Sequence, residues 1–177
     1  MPITLKNGLF CLLLLTGLSI RGGEFRLESA GARFGFSSQD RSSGFIQAEA
    51  FADFALPWKL ELGKDWHMLT RLDGSLGYLS GNADSAIIGS VGPFVVIGRE
   101  RLPVSLSLGA SPTLIGRDKF GSVDFGIPIQ FTLYAGINWN ITERIRVGYR
   151  YQHMSNAHLD GSNPGLNLNM FSVSYCF

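Results

Sequence analysis

The segment that most restricts the fold is residues 171–177, in which large apolar side chains alternate with small or polar ones. The large residues are Phe171, Val173, Tyr175 and Phe177. Successive side chains of a β-strand point to opposite faces, so these four form one apolar stripe and the serines and cysteine between them form the other face. Such a strand is typical of a membrane β-barrel, although a soluble β-sandwich also accommodates it.

The same alternation recurs along the chain and indicates about eight strands. It is cleanest in residues 125–139, where apolar side chains from Phe125 to Trp139 occupy every second position. The other candidate strands cover residues 25–37, 45–56, 66–79, 86–98, 102–111 and 144–155, followed by the final strand. The pattern predicts an all-β antiparallel protein in which Phe125 lies on the same apolar face as Trp139.

Strand length favours a closed barrel of eight strands. A strand that spans a bilayer takes roughly 9–11 residues, so eight strands use about 80 residues and leave about ten for each connection or end. The predicted fold is therefore an eight-stranded antiparallel transmembrane β-barrel, and its interior is just wide enough to be filled by side chains. The alternative is a soluble barrel of the lipocalin type, whose apolar face would point inward around a ligand.

Polar and aromatic residues favour the membrane barrel over the soluble one. The polar faces of the strands carry charges that we expect to pair inside the barrel, namely Glu49, Arg71, Asp73 and Arg146. The aromatic residues near strand ends fit the girdles at the two membrane interfaces, namely Trp66, Tyr78, Trp139 and Tyr175. Neither set suits a barrel with an apolar interior.

The N-terminal segment predicts export from the cytoplasm. An apolar run from Gly8 to Ile20 follows a lysine and is shorter than the roughly 20 residues of a spanning helix, as in a secretory signal peptide. We expect a signal peptide of residues 1–23, with an approximate cleavage site, and a barrel of residues 24–177; an uncleaved helix is the alternative. Cys11 would leave with the signal peptide, so Cys176 would have no intrachain disulfide partner.

Composition and motifs argue against several function classes. The net charge is +1 and the sequence contains no block of basic residues, so nothing indicates a nucleic-acid partner. The chain has no Gly-x-Ser-x-Gly elbow, no His-Glu-x-x-His, no Gly-x-x-x-x-Gly-Lys and no pair of cysteines for a metal. We therefore expect no cofactor and no bound metal.

A candidate reactive pair lies at the end of the strand of residues 144–155. His153 and Ser155 share parity with Tyr149 and Tyr151, which predicts that both face the lipid. Residues two apart on a strand are about 7 Å apart at the backbone, close enough for the imidazole to take the proton of the hydroxyl. Ser155 is thus a candidate nucleophile, although such a pair also occurs at ordinary solvated strand ends.

The wider sequence resembles a known active-site signature. His153-Met154-Ser155-Asn156-Ala157, followed after five residues by Asn163-Pro164-Gly165-Leu166-Asn167, is similar to the signature of the lipid A 3-O-deacylases, the PagL family. The resemblance implies an eight-stranded barrel in the Gram-negative outer membrane with a serine esterase site on its membrane-facing wall. It also implies that Ser155 is the nucleophile, His153 the general base and lipopolysaccharide the substrate, from which the 3-O-linked acyl chain of lipid A is removed.

The resemblance also suggests roles for three asparagines. It assigns Asn163, with a nearby backbone N–H, to the oxyanion hole, and it matches Asn156 to a second family asparagine, for which turn formation is an equal explanation. Asn167 stands where the best-known members have a glutamate that orients the histidine. An asparagine can hold the imidazole tautomer but cannot stabilise the imidazolium by charge. Asp160, in the intervening loop, is the alternative acidic partner, although a solvated turn residue is the favoured interpretation.

The expected orientation puts the site at the outer leaflet. If both termini are periplasmic, the connection of residues 157–164 is extracellular. Arg117 and Lys119, in a loop on the same side, could then contact the phosphates of lipid A. Two other functions stay open: a non-catalytic structural or adhesive barrel with His153 and Ser155 at its rim, and an esterase that acts on another lipid. The sequence does not predict the oligomeric state.

Overall fold

The computed structural model describes residues 20–21, 25–37, 44–161 and 163–177. Most of the predicted signal peptide, residues 1–23, lies outside the described residues, and its cleavage stays a prediction. Its two described residues, Ile20 and Arg21, pair with Leu60 and Lys59. Within the described ranges no helix is long and apolar enough to cross a membrane.

Eight strands form a closed antiparallel barrel. The described strands are β1 (Ile20–Arg21), β2 (Arg26–Ser37), β3 (Ile46–Gly63), β4 (Trp66–Gly81), β5 (Asp84–Arg99), β6 (Val104–Ile115), β7 (Lys119–Phe120), β8 (Val123–Asp124), β9 (Ile129–Asn140), β10 (Ile145–Ser155) and β11 (Leu166–Cys176). The barrel order is β3-β2-β11-β10-β9-β6-β5-β4, and the pairing of β3 with β4 closes the ring. The predicted eight-stranded barrel is confirmed, and β7 and β8 form a small separate ribbon.

The two ends of the barrel differ in their connections. We call the loop end the one that carries the connections of residues 82–83, 116–128 and 156–165, and the terminal end the one where β2 begins and β11 ends. The turns at the terminal end are short, for example residues 64–65, whereas the connections of residues 116–128 and 156–165 at the loop end are longer. Short turns at one end and longer loops at the other are typical of outer-membrane barrels.

The outer wall of the barrel is apolar, as the alternation predicts. Leu133 and Ile137 of β9 are 58% and 50% exposed, while Gln130 on the opposite face is fully buried. The aromatic residues predicted for the girdles are all exposed near strand ends, namely Trp66, Tyr78, Trp139 and Tyr175. Because the apolar face points outward, the lipocalin-like alternative is wrong.

A network of buried charges fills the middle of the interior. Arg33 Nε lies 2.8 Å from a carboxylate oxygen of Glu49, and its two terminal nitrogens donate to Asp73 at 2.9 and 3.0 Å. Arg150 reaches Glu49 at 3.1 Å, and Arg71 pairs with Glu28. The cavity that remains beside these groups measures about 40 Å³. The described interior is therefore packed with polar side chains, as the sequence predicts for Glu49, Arg71 and Asp73. Arg146 differs from the prediction, since it donates to Oδ1 of Asn140 in an exposed hydrogen bond.

An apolar cluster closes the loop end of the interior. The rings of Phe45, Phe120 and Phe125 meet edge to face, with centroids 5.4 to 5.9 Å apart, above buried Met154 and Leu166. This position of Phe125 corrects the sequence prediction, which placed it on the outer wall.

A turn explains why Phe125 points inward. Gly126 has a φ of +82°, and its N–H donates to Oδ1 of Asp124 at 2.9 Å. The turn interrupts the extended backbone, so β9 begins only at Ile129 and the segment before it folds over the mouth of the barrel. The alternation of inward and outward side chains along β9 therefore does not continue back through Gly126 to Phe125, because it requires extended backbone.

We predict that Arg33→Leu destabilises the barrel by about 3–5 kcal/mol, because it leaves the carboxylates of Glu49 and Asp73 buried without this cation. The measurement is the free energy of unfolding by urea in detergent micelles. The control is Arg99→Leu, since Arg99 is exposed and its nitrogen lies 3.6 Å from Asp65; we expect a change below about 1 kcal/mol. Equal urea midpoints for the two variants would show that the network is not required.

Candidate functional site

The candidate site lies on the outer wall at the loop end of β10. His153 is exposed and Ser155 is partly exposed, whereas Met154 between them is fully buried in the interior cluster. The prediction that both side chains face away from the interior is confirmed.

The pairing of β10 with β11 sets the partner of the imidazole. His153 lies directly opposite Asn167 in the strand register, and Nδ1 of His153 lies 2.7 Å from Oδ1 of Asn167. An amide oxygen only accepts hydrogen bonds, so Nδ1 carries the hydrogen and Nε2 is the unprotonated nitrogen of the neutral ring. Asn167 is buried, with 7% of its surface exposed, whereas His153 is exposed, so the bond is partly buried. Asn167 is therefore the residue that orients the imidazole in the structure. Asp160, the alternative partner, is exposed in the loop.

Ser155 stands two residues further along the same face, at the last position of β10. Its cross-strand neighbour on β9 is Phe131, an outward apolar residue. Among the described residues no hydrogen bond joins the Ser155 hydroxyl to His153. Catalytic hydrogen bonds are often loose before the substrate binds, so this geometry is compatible with a nucleophile and its base.

Gly165 gives the imidazole its space, a role that the sequence analysis did not assign. Gly165 has a φ of +66°, and a Cβ at this position would lie 3.0 Å from Cε1 and 3.8 Å from Nε2 of His153. A side chain here would strain the backbone and press on the edge of the ring that carries Nε2. The Asn-Pro-Gly sequence signals a turn but not this contact.

The side chain of Asn156 forms hydrogen bonds that link the loop after β10 to a neighbouring segment. It is fully buried, its Nδ2 donates to the carbonyl of Phe125 at 3.1 Å, and its Oδ1 accepts the N–H of His158 at 2.9 Å. Ala157 and His158 both have positive φ, as a tight turn requires. The side chain thus ties the loop to the segment that closes the barrel, which supports the turn-forming interpretation of Asn156.

Asn163 lies beside a backbone donor of the same loop. The N–H of Asn156 donates to Oδ1 of Asn163 at 3.3 Å. The amide group of Asn163 and the backbone N–H after Ser155 are therefore close together. The family resemblance suggests Asn163 for the oxyanion hole without indicating which backbone N–H accompanies it, and the N–H beside Asn163 in the structure is that of Asn156.

The two basic residues suggested for lipid phosphates already have acidic partners. Arg117 pairs with Asp84, and Lys119 lies 3.1 Å from Asp124. The N–H of Gly126, together with Lys119, holds the pKa of the Asp124 carboxyl below its usual range. A phosphate would have to compete with these carboxylates, and contact with phosphate stays a prediction.

Comparison with known proteins identifies the family. The family model described as lipid A 3-O-deacylase (PagL) matches residues 46–176, about three quarters of the chain. This chain belongs to that family. It is an outer-membrane β-barrel, and its apolar outer wall and closed sheet agree with this.

Two known proteins resemble this chain, one in sequence and one in fold. The lipid A deacylase PagL of Bordetella bronchiseptica (strain ATCC BAA-588 / NCTC 13252 / RB50) is 32% identical over 78 residues, which are 44% of this chain and 43% of that protein. The matched stretch thus spans less than half the length of that relative. A crystal structure of the outer membrane enzyme PagL superimposes with a TM-score of 0.72 and 18% identity, covering 82% of this chain and 97% of that one, and so shows the same fold.

We predict that the neutral imidazole of His153 carries its hydrogen on Nδ1, because Asn167 can only accept there. The measurement is the pair of side-chain ¹⁵N shifts of His153 by NMR in micelles, at a pH where the ring is neutral. Asn167→Leu should remove this preference, whereas Asn140→Leu makes the same chemical change at the terminal end and should not. An Nε2–H tautomer in the unmodified protein would contradict the orientation given by Asn167.

Proposed function

We propose that this chain is an outer-membrane serine esterase that removes the 3-O-linked acyl chain of lipid A. The observation that carries the proposal is the imidazole of His153, held by Asn167 on the lipid-facing wall two residues from an outward serine. Membership of the family and the name of the Bordetella relative support lipid A as the substrate. The predicted signal peptide would supply export to the outer membrane.

In the first step Ser155 attacks the ester carbonyl. The bond forms between Oγ and the carbonyl carbon while the hydroxyl proton moves to Nε2 of His153. The Nδ1–H···Oδ1 bond to Asn167 presents the unprotonated Nε2, which is the atom that a general base needs. The product is a tetrahedral intermediate with a negative oxygen.

The donors for that oxygen would come from the loop after β10. The N–H of Asn156 now donates to Oδ1 of Asn163, so in the intermediate the substrate oxyanion would take the place of this acceptor. Rotation of the Asn163 side-chain amide that exchanges Oδ1 and Nδ2 would then direct Nδ2 toward the substrate oxyanion. Amide donors in this position commonly lower the barrier by about 3–4 kcal/mol each.

Collapse of the intermediate and hydrolysis would complete the cycle. The bond between the acyl carbon and the sugar oxygen breaks as His153 returns its proton to the leaving alkoxide. The acyl group stays on Ser155. A water molecule, deprotonated by His153, then attacks the acyl carbon, and the fatty acid leaves as Ser155 regains its proton. These steps require a nucleophile, a base and oxyanion donors, all of which the chain's own residues would supply.

Asn167 limits how much this site can accelerate the reaction. It holds the tautomer and the ring orientation as a carboxylate would, but it carries no charge to stabilise the imidazolium that forms in both steps. We therefore expect hydrolysis to be slower than with a glutamate at this position.

The position of the site fits a lipid of the outer leaflet. With the termini in the periplasm, the loop end faces outward, and His153 and Ser155 lie at the membrane surface. Lipopolysaccharide occupies that leaflet, and the ester bonds that join its acyl chains to the sugars lie near the boundary between membrane and water. A substrate could therefore reach the site from the membrane without leaving it.

We predict that lipid A from Gram-negative cells that express this chain loses one hydroxyacyl chain, and that Ser155→Ala abolishes the loss because it removes the nucleophile. The measurement is the mass of lipid A, with heat modifiability on gels as the check that each variant is folded. The matched control is Ser174→Ala, a buried serine of the interior, which should behave as the parent chain.

The other outcomes decide between the alternatives. Unchanged lipid A with the folded parent chain would overturn the proposal, and measurement of lysophospholipids in the same cells would separate an esterase for another lipid from a non-catalytic barrel. Hydrolysis that persists in Ser155→Ala would exclude Ser155 as the nucleophile.

A further inference from the structure

A polar residue interrupts the apolar wall just below the candidate site. Asn169 is at an outward position of β11, half-buried, and its cross-strand neighbours are Tyr151 on β10 and Phe36 on β2. The next outward residue of β11 is Phe171, which is 50% exposed. An amide in such surroundings is disfavoured unless its hydrogen-bonding groups have partners, because hydrocarbon supplies none.

The carbonyl oxygen of the Asn169 side chain has a hydrogen-bond partner within the protein. The hydroxyl of Tyr149 donates to Oδ1 of Asn169 at 2.7 Å, and the ring of Tyr149 packs against Phe171 with centroids 5.3 Å apart. Because Oδ1 accepts this bond, Nδ2 occupies the other branch of the amide. Among the described residues no hydrogen-bond acceptor engages Nδ2. The amide is therefore fixed in orientation with its donor unused.

Asn169 lies beside the path of a lipid bound at Ser155. It is two residues from Asn167 on the same face, so the two side chains are about 7 Å apart at the backbone. The direction from Asn167 to Asn169 runs from the loop end toward the terminal end, which is into the hydrocarbon layer. A lipid with its scissile ester at Ser155 would extend its acyl region across this position.

We propose that Nδ2 of Asn169 donates a hydrogen bond to the carbonyl oxygen of a second acyl linkage of the same lipid, adjacent to the linkage that is cleaved. This inference rests on the proposed function. An N–H group can only donate, so it selects an acceptor oxygen, and a plain alkyl chain offers none. Asn169 would thus favour a lipid with several acyl linkages over an ester with one chain.

The first test measures binding without catalysis. In a Ser155→Ala background, Asn169→Leu should weaken the binding of multiply acylated lipid A in mixed micelles by about tenfold, the factor expected for one hydrogen bond. Tyr149→Phe should weaken it less, because it releases the amide without removing the donor. Asn140→Leu, the same chemical change at the terminal end of β9, is the matched control and should leave the affinity unchanged. Equal affinity for the Asn169→Leu and control proteins would overturn the proposal.

The second test uses the active chain and separates recognition from a general structural effect. Asn169→Leu should lower kcat/KM for lipid A about tenfold more than for a single-chain p-nitrophenyl ester, mainly through KM. An equal fall for both substrates would show that Asn169 only supports the catalytic group, and would overturn the proposal. If the parent chain hydrolyses neither substrate, the proposed function fails, while the binding test still decides the role of Asn169.

Discussion

The site depends on the closure of eight strands into a ring, because closure gives each side chain only two destinations, the interior or the lipid. In the interior, Arg33 joins Glu49 of β3 to Asp73 of β4, and Arg150 of β10 reaches the same Glu49 across the barrel. Bonds between opposite walls define the register of the strands, since a slip of one residue would place these charges in lipid. The polar interior thereby determines which residues face outward.

The same constraint assembles the candidate catalytic group. Side chains of β3 form hydrogen bonds with two inward residues of β10, Arg150 and Gln152. The outward residue that follows them is His153. The hairpin register then places Asn167 opposite His153, at a distance that fixes the tautomer. The group on the outer wall is thus positioned by contacts on the inner face of the same strands. Asn169 extends this outward polar surface deeper into the membrane.

The sequence predicts the parts of the structure that obey strand periodicity. It predicts the eight strands, the charged interior and the outward orientation of His153 and Ser155, because each follows from parity along a regular strand. It misplaces Phe125, since a glycine with positive φ ends the periodicity before β9. The contact of Gly165 with the imidazole and the bond between Asn156 and Asn163 also escape sequence reasoning, because the path of a loop is set by contacts between segments distant in the chain.

Covalent labelling of Ser155 in isolated outer membranes tests directly whether His153 activates this serine. A lipid-soluble fluorophosphonate reacts with serines that a neighbouring base activates, and peptide mass spectrometry locates the label. We predict modification of Ser155 that is lost in His153→Ala, while the interior Ser174 stays unlabelled. Absence of label on Ser155, or labelling that does not depend on His153, would contradict an activated serine on the lipid-facing wall.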